Sequence, residues 1–313
     1  MTPLTFRLPL QEHLPSESGV GFISRILIKN HLTWSWLRAV TNMKPDSVPT
    51  SAQYPVLRHI FGDHLKHESL LSRSRMDDGK WSWMLYGQIF IHQSQLQLKH
   101  PKVCGQCLIQ TGIAKASWDI DFVTVCSIHR TLLSDKCLTC TRKISWSRTS
   151  LQFCRCGSPF MSNGDIPHDD EVLWAAMLED RLNNLAIRID GQMINTLIDL
   201  PLGVLVQLVK IFGYASAGIK SANLGVSLKR YSFSRNRVLL VAGLSGLREV
   251  LEGCRPSWIR ESAPAIHLRL TQLLDFVSTV ESHAMLMHIF SLCFQSQPPA
   301  TRGRFTAQYS FKF

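Results

Sequence analysis

Seven of the nine cysteines in this 313-residue chain fall between residues 104 and 156. They form short pairs: Cys104/Cys107, Cys126 with His129, Cys137/Cys140 and Cys154/Cys156. The first three pairs are spaced x-x and the last x. A short turn between two ligands lets both side chains converge on one point, which suits a tetrahedral ion. Four such pairs supply eight ligands, enough for two zinc ions. A redox pair accounts for one Cys-x-x-Cys but not for four clustered pairs. An iron–sulfur cluster fits poorly with the histidine and the knuckle spacing. A catalytic zinc needs a position left open for water, whereas here every ligand is used in a pair. Both ions are therefore expected to be structural. The sequential pairing puts Cys104, Cys107, Cys126 and His129 on one ion and Cys137, Cys140, Cys154 and Cys156 on the other. A cross-brace between the first and third pairs stays open as the rival. Cys254 and Cys293 lie in apolar helical patterns and read as buried small hydrophobes.

This module divides the chain. The reading is mainly α: an N-terminal helix-turn-helix-like helical region (1–103), a central double zinc-knuckle module with short strands (104–160), a C-terminal helical domain (161–300) and a flexible tail (301–313). In the first region "LPSESGVGFISRILIKNH" predicts a helix capped by Ser16, with Glu17 and Ser18 in its first turn. "TWSWLRAVTNM" predicts a second, capped by Thr33, with Trp34, Leu37 and Val40 at helical spacing. Two helices so close together outline a helix-turn-helix, which would put Thr33, Ser35 and Arg38 on the recognition helix. Further on, "DDEVLWAAMLEDRLNNLAIRID" predicts a helix over 169–190, with acids at its start and a stripe through Val172, Ala176, Leu182 and Leu185. "PLGVLVQLVKIFG" reads as a buried helix. In "SRNRVLLVAGLSGLREVLEG", Gly243 and Gly246 suggest a turn.

The formal charge is +11. Residues 1–103 hold 12 basic and 7 acidic side chains, residues 104–160 hold 7 and 3, and residues 161–313 hold 15 and 13. The excess is densest in the cysteine-rich segment, a balance that suits a polyanionic partner. Two basic stretches are candidate contacts. "SLKRYSFSRNR" places Lys229, Arg230, Arg235 and Arg237 around two aromatics, and "TRKISWSR" places Arg142, Lys143 and Arg148 in the zinc loop. Either stretch also fits a solvated, solubilising surface.

No phosphate-binding loop, nucleophile elbow or metalloprotease motif occurs. The acid pairs Asp77–Asp78 and Asp169–Asp170 read as a turn and a helix N-terminus. His59, His64 and His67 read as surface residues. The longest apolar run is too short for a bilayer and the N-terminus lacks a signal-peptide pattern, so a cytoplasmic location is expected and no membrane partner.

The zinc segment also resembles a known family. "CGQCLIQTGIAKASWDIDFVTVCSIHRTLLSDKCLTCTRKI" and the later "CRCGSPF" are similar to the TniQ/TnsD transposon target-selection proteins. Leu108, Trp118, Val123, Thr124, Val125, Leu132, Leu133 and Gly157 occupy the family's positions beside the ligands. Glu17 and Ser18 fill the Glu-Ser pair that precedes the family's opening helix, and Ser24 and Arg25 fill positions of its Arg-x-x pattern. The resemblance covers roughly residues 8–160. It implies a non-catalytic bacterial protein that binds a target or a target-bound complex and recruits a TnsC-like AAA+ ATPase and a transposase. Shorter members sit as homodimers on the RNA-guided Cascade complex beside its crRNA, and this length is nearer that class. Longer TnsD-type members read a fixed DNA site directly, and that remains the alternative.

Overall fold

The computed structural model describes residues 11–76, 79–162, 164–185, 197–219 and 232–294. Its first helix, α1 (Gly19–Lys29), begins later than predicted. Ser18 is the cap, its hydroxyl accepting from the Gly21 N–H at 3.2 Å. Glu17 and Ser18 thus precede the helix, and Ser16 does not cap it. The reason is tertiary: Glu17 is bridged to Lys115 as extended backbone, so the chain cannot coil before Ser18. Helix α2 (Trp34–Val40) starts as expected, with the Thr33 hydroxyl accepting from the Trp36 N–H. Trp34 and Leu37 are buried, but Val40 is exposed. Helix α3 (Tyr54–Phe61) follows, stopped by Gly62 at φ +62°.

A three-stranded antiparallel sheet then occupies ground the sequence reading left as turn and mixed signal. It runs β1 (Ser72–Arg75), β2 (Trp81–Leu85), β3 (Gln88–Phe90) in that order. Tyr86 and Gly87 join β2 to β3 with φ of +54° and +70°, the primed-turn geometry that matches strand twist. The sheet escaped because its signal is short: Arg-Ser and Trp-Ser alternation supplies little apolar pattern.

The cysteine-rich segment contributes α4 (Gly105–Thr111) and the two-stranded β4 (Val125–Cys126) and β5 (Thr131–Leu132). Gly105 has no room for a side chain, because a Cβ there would overlap the Phe160 carbonyl. The two ends of the segment therefore close on each other.

Helix α5 (Asp169–Leu182) opens with a reciprocal cap between His168 and Glu171. It ends eight residues before the predicted boundary at 190, and Leu185 is exposed rather than in the apolar stripe. The buried face runs through Val172, Ala175, Met177, Leu178 and Leu182, with Ala176 only half-buried. Helix α6 (Leu202–Ser216) is buried from Leu202 to Ala215, as its unbroken apolar pattern predicts. Helix α7 (Phe233–Leu251) passes straight through Gly243 and Gly246, so no turn forms there. These glycines serve close packing instead. A Cβ on Gly243 would overlap the Val209 carbonyl of α6, and one on Gly213 of α6 would overlap the Leu239 carbonyl of α7. Two reciprocal notches let the backbones meet. Helices α8 (Ser257–Glu261), α9 (Ala263–Leu274) and α10 (Val280–Phe294) complete the array. Cys293 is buried as expected, while Cys254 lies exposed after α7.

One set of buried apolar residues extends from Val20 to Cys293. Polar links also cross between regions. The Gln95 amide donates to the Gly203 carbonyl at 2.7 Å, and the Thr124 hydroxyl donates to Glu171 at 3.0 Å. No helix among the described residues is long and apolar enough to cross a membrane.

Candidate metal centres

The eight predicted ligands converge in two groups. Cys104, Cys107, Cys126 and His129 form one, and Cys137, Cys140, Cys154 and Cys156 the other, with ligand atoms in each group within 4.8 Å of one another. This is the sequential grouping, not the cross-brace. Among the described residues these are the groups of three or more His, Cys, Asp or Glu side chains that could hold a metal ion.

In the first group the Cys107 and Cys126 sulfurs are 3.5 Å apart. His129 Nδ1 lies 3.5, 3.2 and 3.6 Å from the sulfurs of Cys104, Cys107 and Cys126. In the second, Cys137–Cys156 and Cys140–Cys154 sulfur separations are 3.7 and 3.6 Å. A tetrahedral ion with bonds of about 2.3 Å to sulfur sets sulfur–sulfur edges of roughly 3.8 Å. Both groups have that size. Neither includes a carboxylate, and four ligands each fill a tetrahedron without an open vertex.

Local backbone delivers the ligands. Cys104 precedes α4 and Cys107 sits in its first turn, so one helix start presents two sulfurs. Cys126 ends β4, and the turn to His129 carries the N–H of His129 toward the Cys126 sulfur at 3.4 Å. The first x-x knuckle runs on into α4, whereas the second and third are each followed by a residue with positive φ, Arg130 at +50° and Thr141 at +58°. Such a conformation is costly for a β-branched threonine and persists where surroundings over-determine it. The first group is buried at its three cysteines, whereas Cys156 in the second is exposed. Hydrogen bonding from the Ser158 backbone brings the Cys156 thiol down to about 6, toward the thiolate that a metal requires.

The residues of the opening helix have structural work. Arg25 donates to both carboxylate oxygens of Glu17 at 2.7 Å, and both side chains are buried. Ser18 donates to Asp119 at 2.8 Å, as does Tyr86 at 2.5 Å, so α1, the sheet and the cysteine-rich segment meet on one carboxylate. Burial pushes Asp119 up to about 7 against these donors. Lys102 is buried as well, its ammonium donating to the carbonyls of Ile120, Asp121 and Val123. Desolvation lowers it to about 8. Sequence reading missed Asp119, Tyr86 and Lys102, because each gains its role from partners far along the chain.

The basic candidates separate. Arg148 is not a surface contact: it is 6% exposed and donates to the Ser145, Ser150 and Leu151 carbonyls, so its guanidinium is turned inward. Arg237 is drawn inward to the buried Glu171, with its Nε 3.1 Å from a carboxylate oxygen. Arg142, Lys143 and Arg235 are exposed. Arg38 is half-buried with its guanidinium over the Trp34 ring. Lys229 and Arg230 lie outside the described residues, as do Asp77 and Asp78. His59 and His67 are exposed, and His67 packs edge-on against Tyr54.

The TniQ family model matches residues 10–133. The matched TniQ segment runs from the strand-like entry to α1 through the first ligand group and β5. It includes the Glu17–Arg25 pair and the Asp119 junction. No curated protein matches the chain. A TniQ domain implies a transposition-associated targeting protein.

Proposed function

We propose that the chain is a non-catalytic targeting adaptor stapled by two structural zinc ions. It couples a target-bound complex, RNA-guided Cascade with its crRNA, to a TnsC-like AAA+ regulator and thereby to a transposase, acting as a homodimer in the bacterial cytoplasm. The observation that carries this reading is the pairing of a TniQ match with two closed, carboxylate-free ligand groups. The ligand groups resemble architecture, since an open vertex beside a general base is what metal hydrolysis uses. His129 Nε2 points at Gln110, which leaves Nδ1 unprotonated for the ion.

The alternative is a TnsD-like protein that reads an attachment site in duplex DNA. Exposed Arg142 and Lys143, next to the second ligand group, favour it, with Arg38 and Arg235 as further candidates. Electrophoretic mobility shifts with purified, zinc-loaded protein separate the two. Capture of the TnsC-like ATPase only when the guide complex is present supports the adaptor. Nanomolar, sequence-selective duplex binding without that complex overturns it in favour of the direct reader.

A further inference from the structure

The chain has eight tryptophans, and Trp81 is the one that stands largely in solvent, 49% exposed; Trp34, Trp118, Trp146 and Trp174 are buried. It begins β2 at the outer end of the hairpin with β1. Register puts Arg75 opposite Trp81 and Arg73 opposite Trp83, so two arginines and two indoles share one face. The Arg73 guanidinium lies over the Trp81 ring at 4.0 Å and within 5.9 Å of the Trp83 ring. Toward its other end the same face carries Leu85 and Phe90 into the core, which fixes the platform on a rigid base. Lys80, at the foot of β2, pairs with Asp275 and so braces the tip against the segment after α9. Asp77 and Asp78, which separate β1 from β2 in the sequence, lie outside the described residues.

A single exposed ring is ordinary on a protein surface; what distinguishes this one is its place in register with two cations and a second indole on one face. A row of cations interleaved with flat rings on a β face has the two elements that single strands need: charge for phosphates and a π-face for bases. A duplex, whose bases are stacked away, offers nothing to Trp81. An uncharged peptide would leave Arg73 and Arg75 without a counter-charge, and a purely anionic ligand would leave the exposed Trp81 ring uncovered.

We propose that the exposed, Trp81 end of this β1–β2 face binds single-stranded nucleic acid, with a base stacked on Trp81 and adjacent phosphates held by Arg73 and Arg75. This goes beyond the adaptor reading and does not depend on it, since guide RNA and a DNA strand displaced at a target both present unpaired bases.

The test uses the zinc-loaded full chain and end-labelled oligo(U), oligo(dT) and a blunt duplex of the same length, read by fluorescence anisotropy, with inorganic polyphosphate as competitor. Expected results are binding of at least one single strand more tightly than the duplex, about tenfold loss in Trp81→Ala, and near-wild-type affinity in Trp81→Phe, which keeps a stacking ring. Arg73→Gln and Arg75→Gln each weaken binding and lower the salt slope by about 0.7. Because Trp81 is exposed, its variants keep the thermal midpoint and metal content of the parent, which separates a lost contact from a lost fold. A stronger response to oligo(U) assigns the site to RNA, and a stronger one to oligo(dT) assigns it to DNA. The proposal is overturned if neither strand binds, if Trp81→Ala binds as well as the parent, or if polyphosphate competes as effectively as the oligonucleotides per charge.

Discussion

His129 Nε2 lies 2.9 Å from Gln110 Oε1, while its Nδ1 faces the Cys107 sulfur at 3.2 Å. The amide oxygen accepts the Nε2 proton and so leaves Nδ1 as the metal-facing lone pair. Gln110 comes from α4, the helix that also delivers Cys104 and Cys107, so one helix sets both the ligands and their orientation. Gln110→Ala is expected to weaken metal retention about tenfold. Competition with a chromogenic chelator measures this; unchanged retention would mean that the amide contact does not orient the ring.

Elemental analysis of the purified protein is expected to give two zinc ions per chain. Cys126→Ser should leave about one and lower the thermal midpoint, because each structural ion contributes on the order of 10 kcal/mol of folding free energy. Iron, or one ion in the parent protein, would refute the eight-ligand assignment.

Glu17 and Arg25 form a buried, two-pronged ion pair. Removing one partner strands a charge in the core, which costs about 3–5 kcal/mol. Arg25→Met is expected to destabilise by that order in urea melts, and Glu17→Gln with Arg25→Met to recover part of the loss. Additive losses in the double-mutant cycle would show that the two side chains do not act as a pair.

Asp119 carries a pH signature. Burial raises its folded pKa to about 7, above the unfolded value near 3.8, so between those values the folded state holds a proton that the unfolded state has released. Stability contributed by this group is therefore present at low pH and lost as pH rises through 7, with a slope of up to about 1.4 kcal/mol per pH unit. Urea midpoints of the parent relative to Asp119→Asn, taken from pH 5.5 to 7.5 so that changes at the shared metal ligands cancel in the difference, should fall as pH rises. A flat difference would place the Asp119 pKa below this window.

Gly213→Ala and Gly243→Ala should each destabilise by about 1–3 kcal/mol, since each added methyl group meets the backbone of the facing helix. Gly253→Ala, where φ is positive but nothing crowds the site, isolates the backbone contribution from the packing one.

Local signals were read correctly where the information is local. The x-x pairs converge because a two-residue turn alone can bring their side chains together, and the Thr33 cap and the fully apolar α6 follow from immediate neighbours. Ser16 was misplaced as a cap because the competing Ser18 wins through Asp119, 101 residues away. Gly243 suggested a turn because its exposed-chain cost is visible in sequence while the compensating approach of α6 is not. Arg148 read as a surface cation because charge is legible and burial is not; three nearby carbonyls turn it inward.

Residue type and spacing by themselves determined that two tetrahedral ligand groups could form and which residues belong to the set, since ligand chemistry and turn length are properties of a few adjacent residues. Tertiary structure alone decided which pairs share a site, which cations face solvent, and that Trp81 is left uncovered on the hairpin. Those outcomes depend on which surfaces distant segments bury together, a free energy shared across the whole chain and written in no single stretch of it.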